Sequence, residues 1–172
     1  MEKMKAMANE DVVQTAPFAV PLPVDDQLCF AVYSLSHAFN RTYKPLLDRF
    51  GLTYPQYLVL LALWEHKVMT VKQIGEQLGL DSGTLSPLLK RLDTAGLVSR
   101  TRDRKDERQV NIALTEKGKA LQAEAGHVQT AIGSAIGCST DEARALRRVL
   151  EALTQRLSQP ELSEPEETID AG

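Results

Sequence analysis

Residues 70–114 read TVKQIGEQLGLDSGTLSPLLKRLDTAGLVSRTRDRKDERQVNIAL, and a change of period inside this stretch decides the fold. Thr70 and Gln73 have the spacing at which a hydroxyl and an amide three residues on satisfy each other at a helix start, so a helix is predicted over about 71–78. Gly79 supplies a turn. Asp81 can then accept the free N–H groups of a second helix, which runs to about Thr94 and stops before Gly96. Helix, short glycine turn and helix make a helix-turn-helix. Beyond Gly96 the apolar residues alternate, through Leu97–Arg102, a charged turn and Gln109–Leu114. That pattern predicts two strands of a hairpin, a wing.

In the second helix Leu85, Leu88, Leu89 and Leu92 share one face, which is predicted to be buried. The other side offers Gly83, Ser86 and Lys90, flanked by Ser82, Thr84 and Arg91. Small hydroxyl residues near a helix N-terminus suit a major groove, where hydroxyls and free N–H groups meet phosphates or base edges. Polar residues on a helix surface are commonly no more than a solvated face. The Arg-rich hairpin that follows at once makes the nucleic-acid reading specific. In that wing Arg102, Arg104, Lys105 and Arg108 are the candidate phosphate or minor-groove contacts, with Asp106 expected to hold Arg108 in place. Pro87 lacks an N–H donor and is expected to distort the second turn locally.

Outward from this core, Thr53 and Gln56 repeat the capping spacing ahead of a helix over 54–66, in which Trp64 reads as core. Upstream, a long helix should begin near Asp25 or Asp26 and end between Pro45 and Gly51. Its Leu28, Val32, Leu35 and Phe39 suit a packing or dimer seam. Thr115 and the run from Ser139 to Glu142 cap two further helices, about 115–135 and 140–157. The expected fold is mainly α with a small β-hairpin: a winged helix-turn-helix whose N- and C-terminal helices form a dimer. Residues 1–24 read as a flexible arm and 25–157 as the domain, with a DNA-binding core at about 53–114 and dimerisation helices at about 25–50 and 115–157. Residues 158–172 read as an acidic flexible tail.

The net charge of -3 would argue against a nucleic-acid partner if it were spread evenly. Five carboxylates between Glu161 and Asp170 account for it, and the preceding body is net positive. From Lys90 to Lys105 six basic residues face two acidic ones, a local excess suited to phosphates. No run has the length of a signal peptide or a membrane span, so the chain is expected to be cytoplasmic, without a membrane partner. Cys29 and Cys138, 109 residues apart, are then not expected to form a permanent bridge. His37, His66 and His127 are scattered and make no metal signature. No cofactor loop or nucleophile, base and orienter set suggests an enzyme.

Three stretches together carry a family resemblance: Gly51-Leu-Thr-Tyr-Pro-Gln-Tyr-Leu-Val-Leu, Leu80-Asp-Ser-Gly-Thr-Leu-Ser-Pro-Leu-Leu-Lys-Arg-Leu and Asp106-Glu-Arg-Gln-Val. Over about residues 25–157 the chain resembles the MarR family, and within it the organic-hydroperoxide-sensing repressors of the OhrR type. The resemblance implies a homodimer on double-stranded operator DNA that lets go when a peroxidatic cysteine of the first helix is oxidised by an organic hydroperoxide. Cys29 matches that cysteine, Tyr43 and Tyr54 match the two tyrosines that hydrogen-bond its sulfur, and Cys138 resembles the resolving cysteine of two-cysteine members. Asp106 and Arg108 also fit the family's wing pattern, whereas the acidic tail has no counterpart.

Placement supports the thiol's role independently, because the first turn of a helix favours an anion. Helix geometry adds a constraint. Tyr43 follows Cys29 by 14 residues, so one straight helix holds them about 21 Å apart at ~1.5 Å per residue. If Tyr43 touches this sulfur, it must then come from a second subunit. Other readings stay open: Cys29 as a buried seam residue, Tyr43 and Tyr54 as core aromatics, Cys138 as a spectator, a regulator gated by a small phenolic ligand, or a thiol peroxidase.

Overall fold

Helices start where a hydroxyl or carboxylate can serve their free N–H groups. In the computed structural model, which describes residues 22–103, 106 and 109–158, Thr53 with Gln56, Thr70 with Gln73 and Ser139 with Glu142 form reciprocal capping boxes. Asp81 accepts from the Thr84 N–H and Thr115 from the Gly118 N–H. After a short 3-10 turn, Val24–Asp26, the elements run α1 Leu28–Asp48, α2 Tyr54–His66, β1 Val68–Thr70, α3 Val71–Leu78 and α4 Ser82–Thr94. They continue with β2 Val98–Arg102, β3 Val110–Leu114, α5 Glu116–Ile136 and α6 Thr140–Leu157. The chain divides into two compact units, Met1–Arg41 and Thr42–Gly172.

In the first unit the beginning of α1 shows an apolar face to solvent. Leu28 is 65% exposed and Val32, Tyr33 and Leu35 are also open.

In the second unit α3 and α4 meet through Gly79, whose φ of 63° lies in the left-handed region that side chains rarely adopt. This turn sets α4 against α2 and α3, with Leu85, Leu89 and Leu92 buried and Leu88 half-buried. Leu60, Leu63, Ile74, Val98 and Ile112 complete the core. Both helices run through their prolines: α4 continues through Pro87 without a break, and α1 passes Pro45 to end at Asp48, within the expected interval between Pro45 and Gly51.

The sheet has a strand more than the expected hairpin. β3 lies between β1 and β2, antiparallel to both, with Ile112 opposite Met69 on one side and Arg100 on the other. β1 is three residues long, too short for alternation to announce it. The chain reaches it by a sharp reversal at Lys67, whose φ is 64° and whose N–H returns to the Leu63 carbonyl at 2.8 Å.

The N-terminal turn of α5 is fastened to the base of the wing. Thr115 Oγ1 donates to the Gly96 carbonyl at 2.6 Å, Thr115 N–H donates to that of Leu97 at 3.1 Å, and Lys117 Nζ donates to that of Ala95 at 2.9 Å. Trp64 Nε1 reaches across from α2 to the Gly118 carbonyl at 2.9 Å. A Cβ on Gly118 would overlap the Leu97 carbonyl oxygen. At the other end of this unit α6 carries no buried residue and exposes Leu146, Val149 and Leu157.

Two glycines of α5 are therefore expected to respond in opposite ways. Gly118→Ala should destabilise the fold by about 1–3 kcal/mol, because backbone must shift. Gly126→Ala, where a Cβ meets nothing within 4 Å, should raise stability by about 0.5–1 kcal/mol through helix propensity. Thermal and denaturant unfolding of both variants measure the difference; equal effects would contradict this packing.

Candidate functional site

Charge and cap geometry define the outer face of α4. Asp81 Oδ1 accepts the Thr84 N–H at 3.0 Å and its Oδ2 accepts the Thr84 hydroxyl at 2.7 Å. The hydroxyl bond first, and backbone N–H groups after it, hold the Asp81 carboxyl below its usual range. Thr84 is thus engaged by its own cap. Ser82, Gly83, Ser86, Lys90 and Arg91 share its exposure along the same helix. In the wing Arg102 is exposed at the end of β2, opposite Val110. Arg104, Lys105 and Arg108 lie outside the described residues, and with them the expected Asp106–Arg108 pairing. Among the described residues of the loop, two acids accept hydrogen bonds. Asp103 Oδ1 accepts the Asp106 N–H at 3.2 Å, Asp103 Oδ2 accepts Asn111 Nδ2 at 3.0 Å, and Asp106 Oδ2 accepts Gln109 Nε2 at 3.0 Å. Asp103 thereby links the two ends of the described loop.

In the first unit Cys29 is the second residue of α1 and is exposed. Its thiol donates to Gln27 Oε1 at 3.2 Å, while Gln27 Nε2 donates to the Leu22 carbonyl at 3.0 Å. One glutamine therefore orients the sulfur and ties down the chain ahead of the helix.

The second unit holds the phenols and the other thiol. Tyr43 is buried, with its ring 4.3 Å from that of Tyr54. Burial first, then the nearby Tyr54 and Tyr57 phenols and the hydrogen bond it makes with Tyr54, push its pKa up to about 12. Tyr54 is also raised by burial, against a lowering effect of the same hydrogen bond. Tyr57, which sequence reasoning passed over, extends the cluster: its ring lies 6.1 Å from Tyr43 and its hydroxyl accepts Gln129 Nε2 at 3.3 Å. The signal was available, since Tyr57 follows Tyr54 by three residues on one helix face. Trp64, expected in the core, is half-buried. It borders a groove of about 330 Å³ between α2 and α5, lined also by Tyr57, Leu61, Ala125, Gly126 and Gln129. Cys138 is exposed in the link from α5 to α6, between the left-handed cap Gly137 and the capping Ser139.

Comparison with known proteins agrees with this architecture. Residues 41–125 match the family model described as Transcriptional regulator SarA/Rot. The chain is 53% identical over 137 residues to the HTH-type transcriptional regulator TtmR of Methylorubrum extorquens strain PA1, covering 80% of this chain and 70% of that relative. It is 47% identical over 132 residues to the organic hydroperoxide resistance transcriptional regulator of Bacillus subtilis strain 168, covering 77% and 88%. Among solved structures, reduced AbfR bound to DNA is 41% identical with a TM-score of 0.67, covering 79% of this chain and 95% of that one. AbfR, a Staphylococcus epidermidis protein, is also described in an overoxidised form bound to DNA and in a disulfide form.

The phenol cluster makes a pH-dependent contribution whose sign follows from its burial. Folding favours the protonated Tyr43, so its contribution is complete below the ordinary value of 10.0 and is lost as pH rises through about 12. Spectrophotometric titration should show a late ionisation phase in the folded protein, and Tyr43→Phe should remove that phase and flatten the loss of stability over this window. An unchanged titration curve in Tyr43→Phe would contradict the burial of this phenol.

Proposed function

The chain belongs to the MarR/SarA family of winged-helix transcriptional regulators, and from that premise we propose that it is a redox-sensing repressor that binds operator DNA when reduced and releases it on oxidation by organic hydroperoxides. The observation that carries the reading is the exposed Cys29 at the start of a helix whose apolar face is itself uncovered. A second copy covering Leu28, Val32 and Leu35 would bring its own Tyr43 and Tyr54 to the sulfur. In this chain the two phenols form a hydrogen-bonded pair.

The chemistry proceeds in two steps. The Cys29 thiolate attacks the terminal peroxide oxygen, the O–O bond breaks, and Cys29 sulfenic acid and an alcohol result. The Cys138 thiolate, from either subunit, then attacks the sulfenic sulfur and expels hydroxide, which takes a proton from solvent to become water, leaving a Cys29–Cys138 disulfide. Such a bond needs Cα atoms within about 7 Å. Helices that move to meet this limit change the spacing of two copies of α4, which must match half-sites about one DNA turn apart. That a 42% identical neighbour is described as overoxidised and still bound to DNA supports the disulfide, more than oxidation of one sulfur, as the releasing event. α4 with Ser82, Gly83, Thr84, Ser86, Lys90 and Arg91, and the wing with Arg102, Arg104, Lys105, Asp106 and Arg108, supply the DNA contacts in this reading.

A second reading rests on the α2–α5 groove, whose volume of about 330 Å³ falls at the small end of ligand sites. It would hold a phenolic effector that gates DNA binding without Cys29.

DNA-binding titrations separate the two. Wild type is expected to bind when reduced and to lose at least about tenfold in affinity, about 1.4 kcal/mol, after an organic hydroperoxide. Cys29→Ser should stay bound under oxidant, and Cys138→Ser should form the sulfenic acid yet release less. Equal release by Cys29→Ser would remove this thiol from the mechanism, and release by phenolic compounds alone would favour the groove.

A further inference from the structure

Four oxidisable rings of the second unit stand in a row. Tyr54 and Tyr43 are 4.3 Å apart between ring centroids, Tyr43 and Tyr57 6.1 Å, and Tyr57 and Trp64 6.0 Å. Both outer members are half-exposed, whereas Tyr43 and Tyr57 between them are buried. Trp64, the chain's only tryptophan, has one side on the α2–α5 groove. The spacing is fixed by polar anchors as well as by packing: the Trp64 indole donates to the Gly118 carbonyl and Tyr57 accepts from Gln129.

We propose that this row is a one-electron relay that carries an oxidising equivalent from Trp64 to the Tyr43–Tyr54 phenol pair. Electron tunnelling weakens steeply with distance, and indole and phenol side chains lose an electron at similar potentials. A series of short gaps between them therefore passes a radical onward through Tyr57, whose ring neighbours both Trp64 and Tyr43.

The oxidant is a radical such as the alkoxyl radical, RO•, that forms when an organic hydroperoxide is cleaved by one electron. RO• takes a hydrogen equivalent, one electron and one proton, from Trp64 and leaves as ROH. The neutral indolyl radical then takes an electron and a proton from Tyr57, restoring Trp64 and leaving a phenoxyl radical. Tyr57 is restored in turn by an electron from Tyr43 and a proton from water. The Tyr43 proton passes along its hydrogen bond to Tyr54, which releases its own hydroxyl proton to water. The net change is one RO• reduced to ROH and one tyrosine oxidised to its radical. No step uses Cys29, so the relay stands or falls separately from the peroxide switch.

Pulse radiolysis of the reduced, full-length protein in azide solution tests the relay, because the azidyl radical oxidises tryptophan in preference to tyrosine. The indolyl absorption should decay in a first-order step whose rate is independent of protein concentration, while the phenoxyl absorption grows at the same rate. Tyr57→Phe, which keeps a ring in place, should slow that step at least about tenfold, a barrier rise of about 1.4 kcal/mol. Trp64→Phe should abolish the indolyl signal, and Gln129→Leu, at an exposed position, should change the rate without removing it, which guards against a misfolded Tyr57 variant. Indolyl decay with no phenoxyl growth would overturn the proposal, as would an unchanged rate in Tyr57→Phe. Loss of the phenoxyl signal in Tyr33→Phe would do so too, by assigning the radical to the one tyrosine outside the row.

Discussion

The approach of α5 to the wing base is the constraint on which the second unit depends. At Gly118 the helix backbone lies so close to the Leu97 carbonyl that no side chain fits. The same peptide's carbonyl receives the Trp64 indole at 2.9 Å. Thr115 and Lys117 add bonds to the carbonyls of Gly96, Leu97 and Ala95. Net contributions of about 0.5–1.5 kcal/mol per hydrogen bond are modest singly. Their concentration on two turns of chain makes α2, the α4–β2 turn and the start of α5 one body, so displacement of α5 carries α4 with it. Gln129, further along α5, reaches the Tyr57 hydroxyl, which places the phenol cluster against the same helix.

α4 buries three leucines and locks its first turn through Asp81. Cys29 lies on a helix end open to solvent, steered by a single glutamine. Both α1 and α6 leave large apolar side chains open to solvent, Leu28, Val32 and Leu35 on the first and Leu146, Val149 and Leu157 on the second.

Much of this was legible in the sequence. The five caps at Thr53, Thr70, Asp81, Thr115 and Ser139 are local chemistry, fixed by residues three apart, and they placed every helix boundary from α2 onward within a residue or so. The leucines of α4 repeat along a helix and so announced their face. What was hidden depends on contacts distant in sequence. β1 exists because Met69 finds Ile112, and three residues carry no period of their own. The half-buried state of Trp64 and the value of Gly118 arise from each other, 54 residues apart. The hydrogen bonds of Asp103 to Asn111 and of Asp106 to Gln109 could not be read from a count of charges. The sulfur and the phenols were found through family resemblance, while the Tyr57 and Gln129 link became visible only in three dimensions.

The central claim is that the oxidation state of Cys29 sets the distance between two reading helices carried rigidly by their α5 helices. Pulsed electron paramagnetic resonance measures that distance directly, with spin labels attached through a non-cysteine chemistry at position 90 of both copies. The account expects a single narrow distance in the reduced dimer and a distinct, shifted one after hydroperoxide has joined Cys29 to Cys138, with Cys29→Ser held at the reduced value. One distance distribution common to reduced and disulfide protein would contradict it.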